Sequence, residues 1–250
     1  MSPSSPALPR AVTFDYWNTL CHEPDMEQRP ALVAQCWSEL AAAADVRLEP
    51  SDVIAAFGRA REEHWAAWHE NRQFTGEHAA ESIIATLGGA AWSPSLSASL
   101  ADAFHACSDA VDVTPLAGVG EVLEHLKAAD VKVGIVCDVG LMPSSYLRRH
   151  LDRHGLLGYF DHWSFSDEVG VYKPDRRIFE HALSGLGDVL PADAVHVGDR
   201  RRTDIAGAQA MGMRAVRITA VFDDDDPDQG PSGDVIVSGY DEFFEALGLG

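Results

Sequence analysis

Basic side chains are scarce in this chain. Among its 250 residues, 19 Lys and Arg stand against 39 Asp and Glu, which gives a formal net charge of −20 at pH 7. A surface with this excess of negative charge repels polyanions, so we expect neither a nucleic acid nor an anionic membrane as a partner. It also repels small anions. A site that handles phosphate must therefore hold its own positive charge, from a metal ion or from a well-placed Lys or Arg.

Cysteine pairs and long apolar runs are missing as well. No two cysteines form a CxxC pair, and no stretch approaches the roughly 18 apolar residues that a membrane-spanning helix needs. We therefore expect free thiols and a cytoplasmic protein. The Ser- and Pro-rich first ten residues have no long apolar run, so we expect them to be neither a signal peptide nor an anchor. The four cysteines are Cys21, Cys36, Cys107 and Cys137.

Hydrophobic periodicity divides the chain into two kinds of segment. From about residue 26 to residue 112, apolar residues recur at helical spacing in four stretches separated by Pro and Gly. After Pro115, short β-branched runs alternate with helical stretches, which is typical of βαβ units and a parallel sheet. The pattern predicts an α/β protein with a parallel-sheet core at residues 10–22 and 113–250. An all-helical domain, residues 23–112, is inserted in that core.

Four polar motifs follow predicted strands or precede predicted helices. In an open parallel sheet, the groups that carry chemistry lie beyond the carboxyl ends of the strands, so we expect these motifs to meet at one edge. A single carboxylate after a strand is often only a helix N-cap, but four motifs in this order indicate a shared site. They are Phe14-Asp15-Tyr16-Trp17-Asn18-Thr19, Cys137-Asp138-Val139-Gly140, Tyr172-Lys173-Pro174-Asp175, and Gly198-Asp199 with Asp204.

The order and spacing of these motifs resemble those of the haloacid dehalogenase-like superfamily. Lys173-Pro174 and the pair Asp199 and Asp204 are the most specific pieces. The helical insert stands where that superfamily places a C1-type cap. The resemblance implies a Rossmann-like core with a doubly wound parallel sheet. It also implies hydrolysis, mostly of phosphate monoesters through an aspartyl-phosphate, and in a smaller group of 2-haloacids through an aspartyl ester.

The resemblance assigns roles to the polar residues. Asp15 is the expected nucleophile, and a covalent nucleophile divides one difficult displacement into two easier steps. Mg²⁺ is the expected cofactor, because ligation by oxygen atoms suits that ion. Lys173 is expected to be a catalytic point charge between the nucleophile and the transferring group. The expected metal ligands are the Asp15 carboxylate, the Trp17 backbone carbonyl and Asp199, with Asp204 either ligating the ion or steadying the other ligands.

Trp17 departs from the phosphatase pattern. Phosphatases of the superfamily usually carry a second aspartate at this position as general acid and base, whereas an indole N–H only donates a hydrogen bond. Loss of a general acid typically costs about 10²–10⁴-fold in rate. Dehalogenases of the superfamily also have an aromatic residue here, because halide leaves without protonation. They work without metal, however, and lack the acidic pattern of Asp199 and Asp204.

Cys137 is a second departure. The superfamily usually has a Ser or Thr hydroxyl here that holds a phosphate oxygen, and a thiol is a poor donor. Backbone N–H groups near Val139 and Gly140 could still hold an anion at the start of the next helix. Thr19 is expected to order the loop after Asp15, and Arg29 is expected to contribute to specificity. The predicted substrate-binding residues are thus Cys137, Asp138, Thr19 and Arg29.

Two charged runs are ambiguous. Arg200, Arg201 and Arg202 could flank an anionic substrate, although solvated residues at a helix start are the more ordinary interpretation. The acidic residues 223–226, with Asp228, are expected to form a solvated loop, and an accessory cation site is the alternative.

Three functions are compatible with these residues. We expect a Mg²⁺-dependent phosphatase that acts on a small phosphorylated metabolite through Asp15. One alternative is hydrolysis of another electrophile through an Asp15 ester, as in the dehalogenases. The other is a non-catalytic binding or regulatory protein. The absence of an aspartate at Trp17 and of a hydroxyl at Cys137 favours this alternative. The intact set of Asp15, Lys173, Asp199 and Asp204 opposes it.

Overall fold

The computed structural model describes residues 8–247, which form two compact units. The first unit contains the described residues up to His22, Thr114–Asp138, and those from Leu151 onward; the second contains Glu23–Val113 and Val139–His150. The sequence had suggested that residues 139–150 belong with the first unit. Of the first ten residues, for which we expect no signal or anchor function, only Leu8, Pro9 and Arg10 lie within the described part.

A six-stranded sheet organises the first unit. Its strands are β1 (Ala11–Phe14), β4 (Lys132–Cys137), β5 (His162–Phe165), β6 (Ala194–Gly198), β7 (Arg214–Ile218) and β8 (Val235–Val237). They lie in the order β5-β4-β1-β6-β7-β8, and every neighbouring pair is parallel. The order places β1 between β4 and β6 in the middle of the sheet, which confirms the predicted α/β class with a parallel core.

Both faces of the sheet are covered. On one face, Ala11 and Val136 pack with Phe179 and Ala208, which belong to α8 (Arg176–Gly185) and α9 (Ala206–Met211). On the other, the Phe14 ring lies 6.0 Å from that of Phe243, in α10 (Phe243–Leu247). Strands buried on both faces read as nearly continuous apolar runs, as β1 does with all four residues buried.

The remaining elements of the core connect these strands. They are the short strands β2 (Cys21–His22) and β3 (Thr114–Pro115), which pair antiparallel, and the helices α5 (Val119–Ala128) and α7 (Ser166–Val169). The helix α6 (Ser144–Arg153) begins in the second unit and ends in the first. Because β2 and β3 have two residues each, they are too short for the alternating pattern that reveals a strand in a sequence.

Four helices form most of the second unit: α1 (Gln28–Ala43), α2 (Pro50–His69), α3 (Gly76–Thr86) and α4 (Pro94–Ala106). Proline at the first turn of α2 and α4 suits a position whose N–H has no helical partner, and Ser93 Oγ accepts the N–H of Leu96 to cap α4 at 3.2 Å. The unit has its own apolar core around Trp37, Phe57, Ile83, Leu100 and Phe104. Within residues 8–247, no helix is long and apolar enough to cross a membrane.

Candidate active site

Parallel strand register brings the predicted motifs to one edge of the sheet. Phe14 is paired with Ile135 on one side and with Val197 on the other. Three strands therefore end close together. Asp15 directly follows β1, Asp138 follows β4 and Asp199 follows β6. The Asp15 N–H donates to the carbonyl of Val197 at 2.8 Å, which ties the first carboxylate to the central strands.

Lys173 joins two of the carboxylates. Its Nζ donates to Asp15 Oδ1 and to Asp204 Oδ1, each at 2.6 Å, although Asp15 is 158 residues away in sequence. The side chain is almost completely buried, with 1% of the residue exposed. The backbone N–H of Lys173 donates to Asp138 Oδ1 at 2.8 Å. Asp138 thus holds the peptide that positions the lysine.

Asp204 is held from three sides. It lies in a wide helical turn, Arg201–Ile205, where its Oδ2 accepts the backbone N–H of Arg200 at 2.9 Å. Its Oδ1 also lies 3.1 Å from Nε2 of His196, a residue within β6. The His196 Nδ1 in turn lies 2.9 Å from Thr13 Oγ1 in β1. These two strand residues form a buried support under Asp204. Sequence reasoning assigned them no role, and a His inside an apolar strand was the available signal.

Gly198 allows Asp204 to approach the strand. A Cβ at position 198 would lie 2.3 Å from Cγ of Asp204, a distance at which something must shift. The glycine is therefore required by a close packing contact of a site residue.

Asp199 is contacted by one residue from the turn after β1 and by the residue that follows it in sequence. Asn18 Nδ2 donates to its Oδ2 at 3.2 Å, and Arg200 Nε lies 3.4 Å from the same atom. Asn18 adopts a left-handed backbone conformation with φ of 56°, which Asn tolerates better than most residues. The turn after β1 thus contributes both the Asp15 carboxylate and the Asn18 donor.

Burial and charge shift the pKa values within this cluster. Burial raises the pKa of Asp15 well above its usual value, although the Lys173 charge opposes that shift. Burial and the neighbouring Asp204 raise the pKa of Asp199 to about 7. Burial also acts to raise the pKa of Asp204, but the charge of Lys173 and the hydrogen bond from His196 outweigh it and the pKa is lowered. Burial acts to lower the pKa of Lys173, but Asp15 and Asp204 raise it well above its usual value, so the ammonium stays charged.

The donor set fits a hard divalent cation. Asp15, Asp199 and Asp204 each present a carboxylate oxygen, and these three atoms lie within 4.8 Å of one another. All three residues are buried, and among residues 8–247 the cations paired with them are the Lys173 ammonium and, at 3.4 Å from Asp199, the Arg200 guanidinium. Buried carboxylates at this spacing repel one another unless a cation offsets their charge, and oxygen ligands are those that Mg²⁺ prefers.

Trp17 lies beside the cluster in the turn after Asp15. The Trp17 backbone pairs with that of Cys21 in an isolated β-bridge. The Trp17 ring packs edge to face against the Tyr16 ring, with 4.9 Å between the centroids. The indole is half-buried. The role of the Trp17 carbonyl as a metal ligand stays a prediction.

The predicted substrate-binding residues of the first unit lie near the cluster or in the loops that support it. Cys137 is fully buried, and its Sγ donates to the carbonyl of Asp138 at 3.4 Å. Burial, together with the Asp15 charge, raises the pKa of this thiol well above its usual value, so it is not a thiolate. Thr19 is also buried, and its carbonyl accepts the Tyr240 hydroxyl at 2.9 Å, which anchors the turn after β1. The assignment of Cys137, Asp138 and Thr19 to substrate binding stays a prediction.

Arg29 lies inside the helical unit. Its guanidinium stacks on the Phe104 ring, 4.6 Å from the centroid, and Nη2 donates to the carbonyl of Leu141 at 2.9 Å. Burial lowers its pKa to about 10, with the Glu23 charge opposing the shift. At that pKa the side chain is still cationic at neutral pH. A role for Arg29 in specificity stays a prediction.

The arginines after Asp199 are not a uniform solvated run. The Arg201 N–H donates to Asp224 Oδ2 at 2.8 Å, and its guanidinium donates to the carbonyls of Asp224 and Gly230 at 2.7 and 2.9 Å. Asp223 pairs with Arg217. The acidic loop is therefore attached at two of its residues, and the expectation of a freely solvated loop holds only for its exposed members.

Comparison with known proteins identifies the family. A family model described as a haloacid dehalogenase-like hydrolase matches residues 9–212, which include all four motifs. The chain belongs to this family, as the motif resemblance predicted.

Curated relatives match over part of their length. A glyceraldehyde 3-phosphate phosphatase from Methanopyrus kandleri is 38% identical over 130 residues, which are 52% of this chain and 54% of that protein. The chain spans about half the length of the first curated relatives it matches.

Solved structures match over nearly the whole chain. A HAD phosphatase from Thermococcus onnurineus is 25% identical, with a TM-score of 0.65 over 96% of this chain and 98% of the other. A 2-haloacid dehalogenase from Pseudomonas syringae is 24% identical, with a TM-score of 0.69 over 96% and 98%. The second likeness concerns the fold alone. It indicates that phosphatases and dehalogenases share this architecture, so the site must separate the two chemistries.

Proposed function

We propose that this protein is a Mg²⁺-dependent hydrolase of small phosphorylated metabolites, with Asp15 as the nucleophile. The observation that carries the proposal is the convergence of three buried carboxylate oxygens, from Asp15, Asp199 and Asp204, within 4.8 Å of one another beside the Lys173 ammonium. The phosphatase names of several relatives support the same class of substrate.

The proposed reaction has two displacements at phosphorus. In the first, an Asp15 oxygen forms a bond to phosphorus while the bond to the leaving oxygen breaks, which gives an aspartyl-phosphate and the leaving group as an anion that takes up a proton from solvent or from the substrate itself. In the second, water attacks phosphorus and gives up a proton to solvent, the bond between phosphorus and the Asp15 oxygen breaks, and the Asp15 carboxylate and inorganic phosphate are released. Lys173 contacts Asp15 at 2.6 Å and offsets the repulsion between the carboxylate and the incoming anion.

Asp15 and Asp199, with the Trp17 carbonyl, would hold the Mg²⁺, and Asp204 would join or steady them. The ion supplies charge neutralisation and alignment of the substrate anion. Asp204 already accepts hydrogen bonds from Lys173, His196 and the Arg200 N–H, which favours the steadying role. Asn18 holds Asp199 in place from the opposite side.

The leaving oxygen must take up a proton by another route than the usual aspartate. Trp17 has no acidic proton to give near neutral pH. In the described part of the chain, Lys173 is the one side chain hydrogen-bonded to Asp15, and it is held equally by Asp204. We therefore propose substrates whose leaving groups need little protonation, or which carry a group that supplies the proton.

A dehalogenase-type hydrolysis through an Asp15 ester is the second candidate. Trp17 favours it, because a halide leaves without a proton. The three neighbouring carboxylates oppose it, since a reaction that needs no metal gives no reason to bury Asp199 and Asp204 beside the nucleophile.

Hydrolysis assays with and without metal separate these candidates. We expect release of phosphate from p-nitrophenyl phosphate in Mg²⁺, loss of that activity in EDTA, and its absence in a folded Asp15→Asn variant. 2-Chloropropionate should not be hydrolysed under either condition. Haloacid turnover at full rate in EDTA would reverse the ranking, and a folded protein inactive on both substrate classes would favour a non-catalytic function.

A further inference from the structure

Arg200 presents a cation at the edge of the carboxylate cluster. Its backbone N–H is fixed by Asp204 at 2.9 Å, and its Nε lies 3.4 Å from Asp199 Oδ2. The guanidinium carbon lies 4.0 Å from the centroid of the Phe222 ring. The side chain is 30% exposed, in contrast to Lys173, which is buried between two carboxylates. Apart from these contacts, the guanidinium forms no hydrogen bond or ion pair with residues 8–247.

The neighbouring arginine, Arg201, binds the loop that follows Phe222. Arg201 donates to Asp224 and Gly230 through three hydrogen bonds, and Arg217 pairs with Asp223. These contacts attach the loop next to Phe222, a residue that is 36% exposed. Stacking on an aromatic ring restricts the guanidinium and leaves its planar edge available for an anion.

With a phosphorylated substrate bound, the site would carry a net negative charge that a further cation would offset. Asp15, Asp199 and Asp204 together with Lys173 and one divalent metal ion are neutral in sum, and a phosphate monoester adds up to two negative charges. At position 137, a buried thiol bonded to the Asp138 carbonyl is a poor donor to phosphate. Arg201 is occupied by the loop, and the charge of Arg202 interacts with that of Asp138. Arg200 remains as the exposed cation beside the metal ligands.

We propose that Arg200 is a substrate-binding residue whose guanidinium, held on the Phe222 ring, binds an anionic oxygen of the substrate. The inference rests on the proposed phosphatase function and deepens it, since it names the residue that recognises the anion. A guanidinium suits this task because its donors form a planar fork that matches phosphate and carboxylate oxygens.

The test compares Arg200→Met with Arg176→Met by calorimetry of the full-length protein. Methionine retains an apolar side chain against Phe222 and removes the charge. Arg176 is an exposed arginine of the same unit that pairs with Glu180, so its variant is a matched control. Inorganic phosphate is titrated in saturating Mg²⁺, and Mg²⁺ is titrated separately. We expect Arg200→Met to weaken the Kd for phosphate by about tenfold or more, the range for hydrogen bonds to charged groups, and Arg176→Met to leave it unchanged.

The Mg²⁺ titration distinguishes substrate binding from mere positioning of Asp199. A cation 3.4 Å from a metal ligand opposes the metal, so removing it should leave the Kd for Mg²⁺ unchanged or make it tighter. Weaker Mg²⁺ binding with unchanged phosphate binding would overturn the inference and make Arg200 a positioning residue.

The same titrations separate this inference from the proposed function. Phosphate binding that is equal in Arg200→Met and the wild type would reject the role of Arg200 while leaving the phosphatase function intact. A wild type that binds Mg²⁺ but no phosphate would reject both. Titrations with methyl phosphate and with phosphoglycolate show which anionic group of the substrate Arg200 binds. A loss in Arg200→Met that is equal for both assigns the phosphoryl group, and a larger loss for phosphoglycolate assigns a second anion.

Discussion

Replacing Lys173 by Met tests whether one buried ammonium holds the carboxylate cluster together in the absence of metal. The substitution keeps the length of the side chain and removes the cation that lies 2.6 Å from both Asp15 and Asp204. Removing one partner of a buried ion pair typically costs about 3–5 kcal/mol, because the remaining charges stay buried without compensation. We expect a loss in that range in the free energy of unfolding in EDTA at pH 8.

The loss should shrink as the pH falls. Burial already places the pKa of Asp15 well above its usual value and that of Asp199 at about 7, and without Lys173 the pKa of Asp204 loses its main lowering influence. A carboxyl group whose pKa is higher in the folded state binds more protons folded than unfolded. Its presence therefore destabilises the protein increasingly as pH rises through that window. At pH 5 fewer of these carboxyl groups carry a charge, because the pKa values of Asp15 and Asp199 are raised, so the variant should lie closer to the wild type.

Urea denaturation followed by tryptophan fluorescence, at pH 8 and pH 5 in EDTA, measures both effects. Lys127→Met is the matched control, because Lys127 forms a partly exposed pair with Asp161 and such pairs contribute about 0–1 kcal/mol. Adding Mg²⁺ should restore more stability to Lys173→Met than to the wild type, since the metal replaces the missing charge. A loss of equal size at both pH values would show that packing, and not charge, accounts for the effect of Lys173.

Three further substitutions test single parts of the site. Asp199→Asn should weaken Mg²⁺ binding in calorimetry by at least about tenfold, as expected for loss of a charged ligand, whereas Asp188→Asn should not; equal binding by both would remove Asp199 from the metal site. Gly198→Ala should displace Asp204, since the new Cβ would lie 2.3 Å from its Cγ, and should reduce Mg²⁺ affinity and turnover. Gly158→Ala, whose Cβ meets no atom within 4 Å, should change neither, and a Gly198→Ala variant as active as Gly158→Ala would contradict the packing argument. Trp17→Asp should accelerate alkyl phosphates more than aryl phosphates, by up to about 10²–10⁴-fold; an unchanged ratio of kcat/KM for the two substrate types, in a folded variant, would place Trp17 away from the leaving group.

Local pattern predicted most of the architecture. The helical spacing of residues 31–110 and the β-branched runs after Pro115 indicated an insert in a parallel sheet, and α1 to α4 and the six parallel strands agree with that prediction. Periodicity succeeds here because core burial repeats every 3.6 residues in a helix and runs continuously in a strand covered on both faces. The two-residue strands β2 and β3 offer no such repeat, and the sequence did not reveal them.

The partners of the site residues were harder to predict. The role of Asp138 in substrate binding stays a prediction, and the sequence did not reveal that its carboxylate accepts the Lys173 N–H. His196 and Thr13 support Asp204 from 8 and 191 residues away, and no local pattern links them. Such hydrogen bonds depend on which strands become neighbours, which is a property of the sheet order.

The sequence by itself determined the set of chemical groups and the edge of the sheet where they lie. In a parallel sheet, a carboxylate that directly follows a strand lies at the carboxyl end of that strand, whatever the strand order. Asp15 and Asp199 follow from that rule. The tertiary structure alone decided how these charges are balanced. Lys173 reaches Asp15 across 158 residues, and Arg200 lies on the Phe222 ring while Arg201 binds the loop that follows Phe222. These contacts form only when separate elements pack against each other, and a charge can be buried without a large free-energy cost only where that packing supplies a partner.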